Sequence, residues 1–424
     1  MSDIRRFALS VLDQIEKDNA YSNIVLDNLF NKEKFGNIDA RFIRALVFGV
    51  IERKITLDYI LNGFIKSGVD KQPVTVINNL RMALYQIMFM DKVPSHAAVN
   101  EAVRLIKNSK YKRLAPFTNA VLRNVLRNDI SLPKGDDINS LSVRYSCEKE
   151  VINVLIDSIG FKETVSFLEN SLKTPPLFLK VNTLKTDSDN MIIRLKEENI
   201  IADKCGLNDA LVIKSGSDII GSKAFCDGLF HIEDIACQTA LSYLAPKSNE
   251  RVLDTCAAPG GKTFSMAEIM ANKGEIVACD IYSSRLSLIT SGAKRLGIDI
   301  IKVEENNSEE FSSMGLFDAI LCDVPCSGIG VIRRKPEIKY KKLDDIKTLI
   351  QTQKNILDNA DRYLKPAGRL MYSTCTLNCQ ENEDVIKHFL DNHKNYKLVS
   401  ERTFLPQKDN SDGFYCAVLH KAGE

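Results

Sequence analysis

The sequence predicts an α/β protein in which a doubly wound, mostly parallel sheet follows a small α+β module and an all-helical bundle. Three observations carry this prediction. Apolar residues recur every three or four positions up to about residue 130, which is the period of an α-helix. Strand-like and helical patterns mix over residues 142–230, and from residue 231 onward strands and helices alternate. Such alternation is typical of a parallel sheet covered by helices.

The first predicted domain comprises residues 1–135 and is helical throughout. In "DARFIRALVFGVIERKITLDYILNGFI" the helical period begins after Asp39, a candidate N-cap. Pro94 and Pro116 stand near the starts of later helical runs, where proline is tolerated. The stretch "SLPKGDDINS" then combines turn-forming residues with few apolar ones, so we expect a linker near residues 131–141.

Two further domains are predicted, at residues 142–230 and 231–424. In the first, helical patterns such as "DNMIIRLKEENI" accompany the strand-like pieces "PLFLKVNTLK", "ALVIKSG" and "GLFHIED". In the second, strands are expected at "RVLDTC", "EIVACD", "DIIKVEE", "FDAILCD", "RLMYSTC", "KLVSE" and "GFYCAVLHK". In open sheets of this kind, ligands bind beyond the carboxyl ends of the strands. The residues that follow these strands are therefore the candidates for a functional site.

The composition is that of a soluble globular protein. The chain has 424 residues and 44% hydrophobic content, and no apolar run approaches the roughly 18 to 20 residues that cross a bilayer. The opening "MSDIRRFALSVLDQIEKDN" places acids where a signal peptide needs an apolar core. Eleven cysteines, several within apolar strand-like runs, favour reduced thiols over a disulfide framework. We therefore expect a cytoplasmic protein with no membrane partner.

Basic charge is concentrated at the amino end. Residues 1–135 hold 21 lysines and arginines against 13 acids, a net of +8, whereas the remainder has a net of −6. Within residues 101–128 the only acid is Glu101. The basic residues of that stretch are Arg104, Lys107, Lys110, Lys112, Arg113, Arg123 and Arg127. Such a cluster suits a phosphate backbone, although a solvated helix face is the simpler explanation of the charge alone.

The first strand of the large sheet runs into "VLDTCAAPGGKT", residues 252–263. Two glycines and several small residues between a strand and a helix allow close approach of a nucleotide-like cofactor, and the helix start offers free N–H groups. The pattern matches neither the G-x-G-x-x-G fingerprint nor a phosphate-binding loop, which argues against NAD and ATP. Asp280 ends the second strand, where a carboxylate can accept hydrogen bonds from ribose hydroxyls. A tight turn followed by a helix-capping acid is the alternative.

Two cysteines follow neighbouring strands of the predicted sheet. Cys326 stands in "DVPCSG" after the fourth strand and Cys375 in "STCT" after the fifth, so both should open into one crevice. A single strand-end cysteine is usually a small buried apolar residue, but two beside a cofactor loop suggest thiol chemistry. Zinc binding by Cys322, Cys326, Cys375 and Cys379 is the alternative. Because Cys322 lies within a buried strand, we expect no metal.

The motifs "DTCAAPGGKT", "ACDIYSSRL", "CDVPCSG" and "YSTCTLNCQENE" resemble those of the RNA 5-methylcytosine methyltransferases of the Nol1/Nop2/Sun family. In the amino-terminal half, "SHAAVNEAVRLIK" and "FTNAVLRNVLR" resemble the helical RNA-binding domain of the NusB antitermination family. The likeness covers nearly the whole chain and includes "KVNTLK" and "HIEDIACQTA" in the middle module. It implies a Rossmann-like methyltransferase sheet, S-adenosyl-L-methionine as the cofactor and a cytosine of 16S ribosomal RNA as the substrate.

The resemblance also implies roles for the strand-end residues. Cytosine C5 is a weak nucleophile, and covalent addition of a thiolate to C6 makes it reactive. In the family, the thiol of the Thr-Cys motif attacks and that of the Pro-Cys motif assists release, which assigns Cys375 as nucleophile and Cys326 as release residue. Asp323 would lie next to the methyl donor and hydrogen-bond the base at N3 or the exocyclic amine. The alternative is that Asp323 only caps the following turn.

The cofactor contacts follow from the same resemblance. Asp280 is assigned to the ribose, and Asn306, or equally Glu305, to the adenine. Arg333 and Arg334 in "GVIRRKPEIKY" are expected to contact RNA phosphates, with plain surface charge as the alternative. The methionine end of the cofactor is assigned to the loop formed by Cys256, Ala257, Ala258, Pro259, Gly260, Gly261 and Lys262.

Alternatives to methylation of 16S ribosomal RNA remain open. The same chemistry could serve tRNA or 23S ribosomal RNA, or the chain could be a non-catalytic RNA-binding protein. Intact cysteines at both motif positions favour the enzyme. Because the reacting atoms of a stacked cytosine are inaccessible, the target base must be unpaired or flipped. We expect the protein to act as a monomer.

Overall fold

The chain folds into two compact units, each with its own hydrophobic core. The computed structural model describes residues 4–18, 20 and 22–423. The helical unit comprises Met1–Val154 and Lys335–Lys341, and the α/β unit comprises Leu155–Arg334 and Lys342–Glu424.

The helical unit confirms the prediction of an all-helical amino-terminal region among its described residues. Its helices are α1 (Ile4–Asp18), α2 (Ser22–Lys32), α3 (Asn37–Glu52), α4 (Lys54–Asn62), α5 (Val74–Phe89), α6 (Ser95–Lys107), α7 (Ala115–Arg127) and α8 (Ile138–Tyr145), and α9 (Lys149–Ile159) begins in it. Apolar residues at helical spacing face its core, as Ile43, Val47 and Val50 of α3 illustrate. Pro94 directly precedes α6 and Pro116 lies in the first turn of α7, as predicted.

Two local predictions in this region are wrong. Asp39 is not the N-cap of α3, because Gly36 holds that position. Asp39 lies in the first turn instead, where its charge suits the positive end of the helix. The linker expected at residues 131–141 is shorter because α8 begins within it. There the Asp137 side chain accepts a hydrogen bond from the Ser140 N–H at 3.0 Å and caps the helix.

A segment from much further along the chain completes the helical unit. It contains a 3-10 turn, Pro336–Tyr340, and the Tyr340 hydroxyl donates to the Ile51 carbonyl at 2.5 Å. The same oxygen lies 2.9 Å from Ser146 Oγ and accepts from the Lys54 N–H at 3.1 Å. The tyrosine therefore joins three parts of the helical unit through its hydroxyl group.

The predicted small α+β module is confirmed. It contains α10 (Phe161–Asn170), β1 (Leu177–Val181), α11 (Ser188–Glu197), β2 (Ile201–Cys205), β3 (Leu207–Ser215), α12 (Lys223–Cys226) and β4 (Phe230–Ile232). The strands form an antiparallel sheet in the order β2-β3-β1-β4. Strand β2 was not predicted, because it is an edge strand with mostly exposed side chains and lacks a clear apolar pattern.

All seven strands predicted for the large sheet are present. The elements are α13 (Ile235–Leu244), β5 (Arg251–Asp254), α14 (Gly261–Ile269), β6 (Glu275–Asp280), α15 (Ser283–Leu296), β7 (Ile301–Glu305), β8 (Phe317–Asp323), α16 (Ile346–Asp361), β9 (Leu364–Thr374), α17 (Glu383–Asn392), β10 (Tyr396–Phe404), α18 (Pro406–Asp409) and β11 (Phe414–Lys421). None of the described helices is at once long enough and apolar enough to cross a membrane.

The order of these strands creates a site at one edge of the sheet. The order is β10-β11-β9-β8-β5-β6-β7, and the five strands from β9 to β7 are parallel. From β5 the chain extends the sheet first through β6 and β7, then continues with β8 on the other side of β5. The topological switch point therefore lies between β5 and β8, where a doubly wound sheet binds its ligand.

Candidate active site

The loop of residues 256–262 follows β5 at the switch point. Gly260 has a φ of +112°, and a Cβ there would lie 2.5 Å from the Phe264 ring, so glycine is required. The Ala257 N–H donates to the Cys279 carbonyl at 2.8 Å and holds the loop against β6. Because α14 begins at Gly261, its first N–H groups lie at the end of the loop. The loop is therefore a fixed turn of mostly small residues at the carboxyl end of β5.

Asp280 ends β6 beside this loop. Its buried carboxylate accepts hydrogen bonds from the Ala258 N–H at 3.3 Å and the Tyr282 N–H at 3.1 Å. Arg285 of α15 lies 3.3 Å from the same carboxylate and also donates to the Ala258 carbonyl at 2.8 Å. Arg285 lies in the motif "ACDIYSSRL" but was not predicted as a site residue, because only the fold brings its guanidinium to the loop.

Glu305 and Asn306 lie at the end of β7, the strand next to β6. Glu305 is paired with Asp280 in the parallel register and is exposed. The Asn306 N–H donates to the Asp280 carbonyl at 3.2 Å, and this residue is half-buried. Both residues considered for the adenine are thus adjacent to Asp280.

Asp323 ends β8 and forms an ion pair with the loop. Lys262 Nζ lies 2.7 Å from Asp323 Oδ2, and the Ser373 hydroxyl donates to Asp323 Oδ1 at 2.7 Å. Burial disfavours the charge on Lys262, but the Asp323 carboxylate outweighs it and raises the pKa of Lys262 well above its usual value. The pair joins the 256–262 loop to the strand that leads to Cys326.

Asp254 at the end of β5 was not predicted as a site residue. The Thr263 hydroxyl donates to its Oδ2 at 2.7 Å, whereas Oδ1 has no hydrogen-bond partner among the described residues. Burial is the main cause that raises the pKa of Asp254 to about 7. Its position as the last residue of the first strand, directly before the loop, is the sequence signal that could have identified it.

The two predicted cysteines lie side by side. The Sγ atoms of Cys326 and Cys375 are 3.0 Å apart and both residues are partly exposed. Their strands, β8 and β9, are parallel neighbours with Asp323 opposite Ser373, so the two chains that follow leave the sheet at the same edge. The contact with Cys375 and burial raise the pKa of the Cys326 thiol well above its usual value.

Two glycines fix the backbone at Cys375. The Gly330 N–H donates to the Cys375 carbonyl at 3.0 Å, and the Gly413 N–H donates to the Gly330 carbonyl at 2.9 Å. A Cβ on Gly330 would lie 2.1 Å from the Gly413 carbonyl oxygen, so no larger residue fits between these chains. The Thr-Cys segment is therefore held by main-chain contacts on this side.

The RNA contact predicted for Arg333 is wrong, and Arg334 is also engaged internally. The Arg333 side chain is only 5% exposed and donates to Asn170 Oδ1 at 2.8 Å. Arg334 forms ion pairs with Asp412 and, at 3.1 Å, with Asp234. Both guanidinium groups thus tie the segment after the Pro-Cys motif to other parts of the α/β unit.

The described residues contain no group of three or more histidine, cysteine or acidic side chains arranged to hold a metal ion. All eleven cysteines lie in the described part of the chain and are thiols rather than disulfides. Cys322, one member of the alternative zinc set, is completely buried within β8. Cys326 and Cys375, by contrast, are partly exposed and have their Sγ atoms in contact.

Comparison with known protein families divides the chain into three matches. Residues 241–420 match the family described as 16S rRNA methyltransferase RsmB/F. Residues 2–127 match the NusB family. Residues 151–220 match the ferredoxin-like domain of RsmF/B-like methyltransferases. The resemblances stated from the motifs are thereby confirmed.

Full-length relatives agree. The chain is 34% identical to the "Probable ribosomal RNA small subunit methyltransferase B" of Bacillus subtilis over 100% of this chain and 99% of that protein. It is 31% identical to the ribosomal RNA small subunit methyltransferase B of Escherichia coli O127:H6 over 99% of both. Among solved structures, PH0851 matches with a TM-score of 0.84 and 25% identity, covering 99% of this chain and 98% of that one.

The doubly wound sheet, with its small-residue loop at the switch point, defines an S-adenosyl-L-methionine-dependent methyltransferase. The small-residue loop at Gly260 and the strand-end carboxylate of Asp280 fit this cofactor, whose identity the sequence predicted. More particularly, the chain belongs to the 16S rRNA methyltransferase RsmB/F family. It is a ribosomal RNA methyltransferase that carries a NusB domain at its amino end.

Proposed function

We propose that this enzyme methylates C5 of a cytosine in 16S ribosomal RNA through a covalent bond between a cysteine and C6. The observation that carries the proposal is the contact between the Cys326 and Cys375 thiols, 3.0 Å apart at the strand ends beside the 256–262 loop. Methylation of a ring nitrogen or a ribose hydroxyl requires no thiol, whereas C5 of cytosine requires a nucleophile at C6.

Cys375 is the proposed nucleophile. The two Sγ atoms are close enough for one thiol to donate to the other. In the proposal Cys326 keeps its proton and donates to Cys375 Sγ, and this hydrogen bond stabilises Cys375 as the thiolate. The raised pKa of Cys326 is consistent with this assignment. The thiolate bonds to C6 and the electrons of the C5–C6 double bond move toward C5. S-adenosyl-L-methionine, when bound, supplies the methyl group that C5 accepts.

Cys326 is the proposed release residue. Once Cys375 has bonded to carbon, its negative charge is gone and the main cause of the raised pKa of Cys326 is removed. Cys326 can then lose its proton to solvent, and the resulting thiolate acts as the base that takes the proton from C5. The C5–H electrons re-form the double bond, and the electron pair of the C6–S bond returns to Cys375.

The cofactor is proposed to lie along the ends of β5, β6 and β7. The loop from Cys256 to Lys262 would hold its methionine end, Asp280 its ribose, and Asn306 or Glu305 its adenine. The adjacency of Asp280 and Asn306 supports this division. Asp323 is proposed to hydrogen-bond the cytosine, with Lys262 and Ser373 fixing its orientation.

The proposal extends to the whole chain. Residues 1–135 would hold RNA by its backbone, 142–230 would assist, and 231–424 would carry the chemistry, with the protein acting as a cytoplasmic monomer. Arg104 is paired with Glu101 at 2.6 Å, but the other basic residues of the cluster are exposed, which supports phosphate contact. The exposed residues are Lys107, Lys110, Lys112, Arg113, Arg123 and Arg127.

The product identifies the function. Bisulfite sequencing of ribosomal RNA with and without the gene should reveal one cytosine in 16S RNA that is methylated only when the gene is present. Complementation with Cys375→Ala should leave that cytosine unmodified, whereas Cys379→Ala, four residues further on, should restore it. Methylation that appears in 23S RNA or tRNA would move the chemistry to another substrate. No change in any RNA would indicate a non-catalytic RNA-binding protein.

A further inference from the structure

We propose that Glu381 is a positioning residue whose buried carboxylate holds the Pro-Cys and Thr-Cys segments in the arrangement that the release step requires. The inference rests on the function proposed above. Glu381 belongs to the motif "YSTCTLNCQENE", but its sequence position alone predicts no role for it. It is completely buried, although it carries a charge.

The carboxylate of Glu381 accepts four hydrogen bonds. Oε2 accepts from the Ser327 N–H at 2.8 Å and from Gln353 Nε2 at 3.0 Å. Oε1 accepts from the Ser327 hydroxyl at 2.5 Å and from Asn378 Nδ2 at 3.1 Å. All four donors are neutral groups of Ser327, Gln353 and Asn378. The carboxylate is therefore stabilised by hydrogen bonds from three residues that only the folded protein brings together.

These contacts fix the backbone on both sides of Cys326. Ser327 follows the cysteine directly, and both its N–H and its hydroxyl are bound to Glu381. Gln353, which donates to Glu381, also donates to the Pro325 carbonyl at 2.9 Å. The direction in which the Cys326 side chain leaves the backbone is therefore set by a network centred on Glu381.

The same network reaches Cys375. Thr376, the next residue, lies with its hydroxyl 2.8 Å from the Ser327 hydroxyl. Because the Ser327 proton points to Glu381, the Thr376 hydroxyl is the donor of this contact. Asn382 accepts from the Thr374 hydroxyl at 2.6 Å and donates to the Thr376 carbonyl at 3.1 Å. Glu381 and its neighbour Asn382 thus hold the residues that flank both thiols.

A glutamine at position 381 keeps the volume but not the hydrogen bonds. Its amide has one oxygen, which accepts, and one NH2 group, which can only donate. In one orientation the NH2 group would face the Ser327 N–H and the Gln353 amide. In the other it would face the Ser327 hydroxyl and the Asn378 amide. The Ser327 hydroxyl can rotate to accept, but in either orientation at least one amide donor loses its acceptor. The Pro-Cys segment should therefore loosen while the packing of the core is retained.

The charge of Glu381 supports the same role. It lies close enough to Cys326 to contribute, after Cys375 and burial, to the raised pKa of that thiol. Glu381→Gln should therefore lower the pKa of Cys326 and move the pH dependence of release to lower pH. A residue that only maintains the fold would not shift this profile.

The test measures formation and release of the covalent adduct separately, with in vitro transcribed 16S ribosomal RNA and the full chain. We expect Glu381→Gln to form the adduct and to release it roughly tenfold to 100-fold more slowly, the range expected for ångström-scale misplacement. A protein–RNA band should then accumulate on a denaturing gel. Binding of S-adenosyl-L-methionine should match the wild type, and the variant should remain folded at the assay temperature, although the unpaired donors lower its thermal unfolding midpoint. Glu383→Gln, an exposed neighbour in the same motif, is the matched control.

Three outcomes would overturn the inference. Release at the wild-type rate would show that the network is dispensable. If the variant neither binds the cofactor nor forms the adduct, Glu381 has a purely structural role. If Glu381→Gln does not fold, Ser327→Ala decides instead. This variant removes one hydrogen-bond donor to Glu381 and should also slow release of the adduct. An unchanged release rate in Ser327→Ala would then contradict the proposal. Cys326→Ala, run in parallel, tests the proposed function itself, because absence of its adduct would refute the chemistry rather than the role of Glu381.

Discussion

Asp254 ends β5 as a buried carboxyl group with a single hydrogen-bond donor among the described side chains, the Thr263 hydroxyl. Burial raises its pKa from the ordinary 3.8 to about 7 in the folded protein. The folded state therefore binds a proton between pH 4 and 7 that the unfolded state releases. Stability contributed by the neutral carboxyl is lost as pH rises through this window, at no more than about 1.4 kcal/mol per pH unit.

Asp254→Asn should remove this pH dependence because the amide stays neutral and keeps an oxygen for Thr263. We expect the unfolding midpoint of the wild type to fall relative to the variant between pH 4 and 7 and to remain level above it. Asp318→Asn is a control in which the pH dependence of stability has the opposite sign. Burial acts against ionisation of Asp318, but the contact with Lys365 outweighs it and lowers the pKa of Asp318. If the unfolding midpoints of Asp254→Asn and the wild type change with pH in parallel, Asp254 does not have this raised pKa.

Sequence reasoning reached the residues whose position follows from their own strand. Cys326, Cys375 and Asp280 come directly after recognisable apolar runs, so the parallel sheet places them at one edge. Glu381 and Arg285 were missed because their importance depends on partners from other elements, such as Ser327 for the first and Ala258 for the second. Nothing in the local pattern distinguishes a buried acid of this kind from a surface acid.

At the scale of elements, the 3-10 turn Pro336–Tyr340 is the feature most remote from its partners in sequence. Tyr340→Phe should destabilise the helical unit, since the Ile51 carbonyl and the Lys54 N–H would be left without this partner at a cost of about 1–3 kcal/mol. Hydrogen exchange of the full chain should show faster exchange in α3 and α4. Tyr59→Phe, which removes a hydroxyl from a 46% exposed ring, should leave protection unchanged. Equal protection in both variants would argue that the turn is not part of this unit's core.

Regular elements were predicted well where one face is buried. The helical period of α3 and the apolar runs of β6 and β8 are strong local signals, and these elements lie where the sequence placed them. The edge strand β2 and the turn at Tyr340 carry no such signal, because their stability comes from neighbours rather than from an amphipathic pattern. The linker near residues 131–141 was predicted too long because the aspartate that caps α8 looks like a turn residue.

At the scale of the whole molecule, the asymmetry of charge predicts how the protein holds RNA. Lys110 and Lys112 are exposed in the basic cluster, and removing one lysine–phosphate ion pair should reduce the salt dependence of the binding constant by about 0.7 to 0.9 in slope. We therefore expect Lys110→Gln with Lys112→Gln to weaken binding of 16S ribosomal RNA and to flatten its salt dependence. Lys66→Gln with Lys71→Gln, also exposed and in the same unit, is the control for net charge. If the salt dependence of RNA binding has the same slope in both double variants, the basic cluster is a solvated surface rather than a phosphate-binding one.

The central claim is that two thiols share one pyrimidine ring, one to attack it and one to release it. The most direct test is a denaturing gel of Cys326→Ala incubated with 16S ribosomal RNA and S-adenosyl-L-methionine. The account predicts a slowly migrating protein–RNA band, because Cys375 can still bond to C6 but no base removes the proton from C5. The band should vanish in the double variant with Cys375→Ala. Absence of the band from Cys326→Ala, or its persistence in the double variant, would contradict the account.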